Sequence, residues 1–102
     1  MSIKEVTRQI RAGGIPVAYR QFRQKQKPPF LIYFGDGQTV FNADNTFYCA
    51  ENDYQLEYYF TEKDEEKEKF IERLLLQGGF QYEKSADTFI ESENLSVIYY
   101  QI

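Results

Sequence analysis

The densest group of side chains able to do acid–base chemistry lies in the segment 62–68. Its five carboxylates are Glu62, Asp64, Glu65, Glu66 and Glu68. Paired carboxylates can act as general acid and base. Here, however, lysines alternate with them around a predicted helix start, where ion pairs between successive helical turns are typical. We therefore interpret this cluster as a solvent-exposed helix face.

Histidine is absent from the chain, and Cys49 is the only cysteine. Without histidine there is no Ser-His-Asp or Cys-His machinery, and the commonest general base near neutral pH is missing. One cysteine is too few for a zinc site or an internal disulfide. The sequence predicts a protein that is not an enzyme and that holds no cofactor or metal.

Two short polar stretches, Gly35-Asp36-Gly37 and Asp44-Asn45, could suggest a calcium or phosphate site. The spacing of oxygen ligands that an EF-hand needs is absent. A phosphate-binding loop is followed by a helix, whereas residues 38–41 have an extended pattern. We interpret both stretches as turns.

Cations and aromatic rings alternate in residues 19–30. The cations are Arg20, Arg23, Lys25 and Lys27, and Tyr19, Phe22 and Phe30 lie beside them. We call residues 20–27 the basic segment. Such alternation occurs in proteins that bind single-stranded nucleic acid, yet the acidic remainder of the chain would repel a phosphate backbone. The pattern favours an arm that contacts other proteins; a solvated loop and a nucleic-acid contact stay open.

Charge is divided along the chain. Residues 1–29 carry seven Lys and Arg against one Glu (net +6), and residues 30–102 carry five against fifteen acids (net −10). One interpretation is a solvated surface that happens to sort by sequence. The other is a subunit suited to head-to-tail contacts with copies of itself. On this second interpretation the candidate interface positions are the four cations of the basic segment with Asp36, Asp44 and Asn45.

Periodicity predicts two helices. Ser2 and Glu5 form a capping-box pattern before an apolar stripe, and Gly13-Gly14 ends this first helix. The second helix is predicted over about Asp64–Gln77, with Phe70, Ile71, Leu74 and Leu75 on its buried face.

Extended patterns predict the strands. They cover residues 15–19, residues 30–34 resumed across a turn at 39–41, residues 54–61, residues 80–84 and 88–92 as segments of one interrupted strand, and residues 95–102. The last strand is apolar on both faces, so we expect it to be central or covered by a partner. The predicted fold is one α+β domain over residues 1–102, in the order α-β-β-β-α-β-β. Two helices pack on one mostly antiparallel sheet of four to six strands.

A resemblance to known proteins is carried by the segments 15–19, 28–33, 43–45 with Tyr48, 54–59 and 89–93, together with the final tyrosine strand. These segments resemble a family of small proteins from tailed bacteriophages and prophages of Gram-positive bacteria. They span nearly the whole chain, and their motifs are structural.

The resemblance implies a tail terminator or tail-completion protein. Such a subunit forms a ring, often hexameric, that caps the tail tube and joins it to the head, and DNA passes through that ring. Its partners would be copies of itself, the major tail tube protein and a neck or connector protein, with no membrane and no specific nucleic acid. We expect it in the host cytoplasm during assembly and then in the virion, since the N-terminus lacks the apolar run of a signal peptide.

Two other classes remain as alternatives. One is a head-closure or connector subunit of the phage neck. The other is a small nucleic-acid-binding or regulatory module.

Overall fold

A computed structural model describes residues 1–43 and 47–102. The elements are α1 (Ile3–Ala12), β1 (Val17–Tyr19), β2 (Phe30–Ala43), β3 (Phe47–Phe60), α2 (Glu65–Gln77), β4 (Glu83–Lys84), β5 (Thr88–Ile90) and β6 (Leu95–Gln101). The α+β class and the mostly antiparallel sheet are confirmed. The order gains one strand over the prediction, because β4 and β5 pair separately with β6.

Helix α1 begins at the cap that the sequence predicts, Ser2, and α2 begins after a second cap, Asp64. The side chain of Ser2 accepts a hydrogen bond from the backbone N–H of Glu5, and Asp64 accepts from Glu66 and Lys67. Each cap satisfies backbone donors that a helix start leaves free. Glycine follows each helix, at Gly13 and at Gly78.

One face of the sheet is covered by both helices. The strand order is β1-β2-β3-β6-β4, with β5 on the same side of β6 as β4, and only β1 and β2 run parallel. A single hydrophobic cluster joins side chains of both helices to those of the sheet; its fully buried members include Val6, Ile10, Leu31, Leu56, Tyr58, Ile71, Leu75, Ile98 and Tyr100. As its apolar pattern predicted, β6 is central.

The opposite face of the sheet carries no helix among the described residues. Side chains alternate between the two faces of a strand, so Gln55, Glu57 and Tyr59 lie opposite to the buried Leu56 and Tyr58. We call this side the open face. Buried Val97 is on it, and accordingly does not belong to the main hydrophobic cluster.

The strands β2 and β3 form a long hairpin, which corrects the predicted turn at Gly35-Asp36-Gly37. Their register shifts by one residue between Gly35 and Gln38, and the strand then continues to Ala43. Gly37 has φ of +85°, which suits glycine, so these residues form a β-bulge. The molecule accordingly measures 51 × 27 × 27 Å.

Candidate protein interface

The basic segment lies exposed on the surface between β1 and β2. Its four cations are all exposed, and none lies within 4.0 Å of a carboxylate of the described residues. Arg20 takes the left-handed conformation, with φ of 68°, and its N–H donates to the carbonyl of Tyr33 at 2.8 Å. The chain turns out of the sheet at this residue, which leaves the following cations facing solvent.

Aromatic rings anchor the basic segment at one end of the open face. The ring of Phe22 packs edge-on against Phe30, with centroids 5.5 Å apart. Phe30 in turn stacks on Tyr59, its partner in the neighbouring strand, at 5.0 Å. These contacts explain why aromatic residues alternate with the cations: the rings hold the segment to the sheet, and the charges remain free.

The carboxylate cluster at the start of α2 is only partly the solvated face that the sequence predicted. Glu68 is 2% exposed. The amine of Lys63 lies 2.8 Å from its carboxylate, and that of Lys84 lies 2.9 Å away. A buried carboxylate needs such partners, and they come from outside the helix. The spacing of residues within the helix could not predict this burial, because one partner, Lys84, lies in β4.

Glu72 continues this network from α2 to Tyr82 and to Tyr100 of β6. Its carboxylate lies 2.8 Å from Lys84 and accepts hydrogen bonds from the hydroxyls of Tyr100 at 2.7 Å and Tyr82 at 3.3 Å. Burial would raise the pKa of Glu72, but the bonds from Lys84 and Tyr100 outweigh it and hold the pKa below 4.5. Burial would lower the pKa of Lys84, but the hydrogen bonds to Glu68 and Glu72 outweigh this effect and raise the pKa. This network ties α2 to the sheet and thus has a structural role.

A row of carboxylates on the open face was missed by sequence reasoning. Glu51, Asp53 and Glu57 occupy alternate positions of β3, and we call them the acidic stripe. Glu57 accepts hydrogen bonds from the Tyr59 hydroxyl at 2.8 Å and the Gln55 amide at 3.3 Å. Asp53 accepts from Thr39 at 2.7 Å. No lysine or arginine of the described residues pairs with the stripe.

The signal for the stripe was present in the sequence as alternation along a strand. Residues 42–53 mix turn-forming residues with Phe47, Tyr48 and Cys49, so the sequence by itself does not decide between a strand and a loop there. Once β3 is seen to begin at Phe47, the odd positions 51, 53 and 57 fall on one face.

Of the remaining predicted interface positions, Asp36 does not join the basic segment. Asp36 is exposed at the bulge, six residues beyond Phe30 and so about 20 Å along β2 at the usual rise per residue. Asp44 and Asn45 lie outside the described residues. The predicted positions therefore do not form one contiguous site.

Residues 1–43 and 47–102 contain no group of three or more histidine, cysteine or acidic side chains placed to hold a metal ion. Within the same ranges, no helix is both long and apolar enough to cross a bilayer.

No protein-family model matches the chain, and no curated protein matches it either.

Proposed function

We propose that this chain is a structural subunit of a tailed bacteriophage or prophage, a tail terminator or tail-completion protein. It caps the tail tube and joins it to the head through protein contacts within a ring of its own copies. Its further partners are the tail tube protein and a neck or connector protein. It acts in the host cytoplasm during assembly and then in the virion, without catalysis.

The observation that supports this proposal is the separation of unpaired charge on the surface. Within residues 1–43 and 47–102, the four cations of the basic segment have no ion-pair partner, and the three carboxylates of the acidic stripe have no cationic partner. Two different patches of opposite sign suit a heterologous contact, in which one patch of a subunit meets the other patch of the next. When the rotation between subunits closes, such contacts form a ring.

The test is deletion of the gene in the phage or prophage that encodes it, followed by electron microscopy of the particles. We expect tails of abnormal length, or finished tails not joined to heads, because the tube is not capped. Supplying the wild-type gene in trans should restore normal particles.

The same micrographs distinguish the alternative neck function. Empty heads beside normal tails would indicate a head-closure or connector subunit, since the packaged DNA would then escape. Normal particles in normal numbers would contradict both structural roles.

A further inference from the structure

The acidic stripe is a surface whose charge no lysine or arginine of the described residues neutralises through an ion pair. Asp53 and Glu57 are only partly exposed, and their hydrogen bonds come from the neutral groups of Thr39, Tyr59 and Gln55. A partly desolvated carboxylate is stabilised more by a cationic partner than by a neutral one. The stripe therefore has unused capacity to accept cations.

Hydrophobic side chains flank Glu57 of the stripe on both sides. Ile32 lies beside Glu57 in β2, and Tyr99 lies beside it in β6. Both side chains are only partly buried, as is Phe34, which lies beside Gln55. A carboxylate between apolar and aromatic side chains fits a long cationic side chain, because the aliphatic stem packs on the rings while the charged end reaches the oxygen atoms.

The basic segment has matching spacing. Asp53 and Glu57 are four residues apart in an extended strand, which separates them by about 13 Å. Arg23 and Lys27 are also four residues apart in sequence, and Lys25 lies midway between them. If these two cations paired with Asp53 and Glu57, Lys25 would lie opposite Gln55 in either direction of the segment. Lys27 precedes proline, which disfavours helix and favours an extended chain at that position.

We propose that the acidic stripe of one copy receives the basic segment of a second copy, with Arg23 and Lys27 paired to Asp53 and Glu57. The partner is a copy of this chain, because the complementary charges and their spacing along the chain are both present in it. The inference rests on the proposed function in taking self-association as the chain's role. It adds which two surfaces meet.

Disulfide trapping between two single-cysteine variants tests the contact. Both carry Cys49→Ser; one adds Lys25→Cys and the other Gln55→Cys, and copper phenanthroline supplies the oxidant. The control replaces Lys25→Cys by Lys69→Cys, a matched cation on the exposed side of α2. We expect the mixed dimer with Lys25→Cys to form about ten-fold faster than the mixed dimer with this control. In about 1 M salt, where the Debye length falls to roughly 3 Å, this advantage should disappear.

Charge exchange makes the test specific. Adding Asp53→Lys and Glu57→Lys to the Gln55→Cys chain should abolish the fast cross-link. Adding Arg23→Glu and Lys27→Glu to the Lys25→Cys chain should then restore it. Glu65→Lys with Glu66→Lys, two exposed acids without ion pairs on α2, should leave it unchanged. Asp53→Asn with Glu57→Gln, which keeps the shape of the stripe, should also slow the cross-link, and circular dichroism checks that each variant is folded.

Two results would overturn the inference. One is a cross-linking rate equal to that of the Lys69→Cys control. The other is a disulfide formed only when both cysteines are on one chain, because the segment would then fold onto its own stripe. Abnormal tails without the fast cross-link would leave the proposed function standing and remove this contact. A fast cross-link with normal phage particles would leave this contact standing and remove the proposed function.

Discussion

Two buried tyrosines differ in whether their hydroxyl groups are used. The Tyr100 hydroxyl donates to Glu72, whereas the equally buried Tyr58 hydroxyl has no hydrogen-bond partner among the described residues. Burial, followed by the charges of Asp64 and Glu68, raises the pKa of Tyr58 to about 12, so the unpaired group is a neutral hydroxyl. A buried hydroxyl without a partner costs stability.

Removing these two hydroxyls should therefore have opposite effects. We expect Tyr58→Phe to raise the free energy of unfolding by about 1 kcal/mol, and Tyr100→Phe to lower it by about 1–3 kcal/mol because Glu72 loses a donor. Urea denaturation of both variants measures the difference. A loss of stability in Tyr58→Phe would mean that its hydroxyl does have a partner.

The carboxylate of Glu72 should make stability depend on pH. Its pKa in the folded protein is below the ordinary 4.5, so its stabilisation is present above that value and is lost as the pH falls through the folded pKa. The unfolding free energy of Glu72→Gln should thus fall less steeply than that of wild type between about pH 5 and about pH 3. The exposed Glu65→Gln should retain the wild-type dependence, and identical curves for all three proteins would refute this assignment.

At the scale of elements, the two helices approach closely at glycine. A Cβ atom at Gly78 would lie 2.7 Å from Cγ2 of Val6, a fully buried and β-branched residue of α1. Such side chains have few alternative rotamers, so the contact cannot relax easily. The close contact between α2 and α1 thus depends on the missing side chain.

We expect Gly78→Ala to lower the free energy of unfolding by about 1–3 kcal/mol through overpacking. Gly35→Ala is the matched control, since the nearest atom to its added Cβ is the Tyr19 hydroxyl at 3.8 Å. It should change stability by less than about 0.5 kcal/mol. Equal thermal stability of the two variants would show that the helices can separate without cost.

The sequence predicts an element well where one local pattern decides it, and poorly where pairing decides it. The stripe Ile3, Val6 and Ile10 and its glycine stop give α1 directly. In contrast, Gly35-Asp36-Gly37 has the composition of a turn, and only pairing with β3 turns it into a bulge. Likewise the burial of Glu68 depends on Lys84, which is distant in sequence and becomes a neighbour only through the sheet.

At the scale of the whole molecule, a basic N-terminal part of net charge +6 and an acidic remainder of net charge −10 give the chain a net charge of −4. Counterion release drives binding to nucleic acid, and a basic patch contributes only if the remaining surface does not repel the phosphates. Residues 30–102 carry a net charge of −10, which repels phosphates. The basic segment is therefore better suited to a carboxylate-bearing protein surface than to DNA.

We expect no salt-dependent binding of single-stranded oligothymidine at physiological ionic strength. Fluorescence anisotropy of a labelled oligonucleotide measures this, with the variant Arg20→Ala, Arg23→Ala, Lys25→Ala and Lys27→Ala as control. Tight binding by wild type that the control variant loses, and that weakens as salt is raised, would favour the nucleic-acid module instead.

The long hairpin has a practical consequence through its composition. Between Lys27 and Lys63 the chain contains no lysine or arginine, so trypsin has no cleavage site anywhere in β2 or β3. The exposed basic segment, in contrast, offers several sites at one end of that hairpin. The first cuts in a limited digest of the free protein therefore report on this segment, and their suppression upon assembly would show directly that a neighbouring copy covers it.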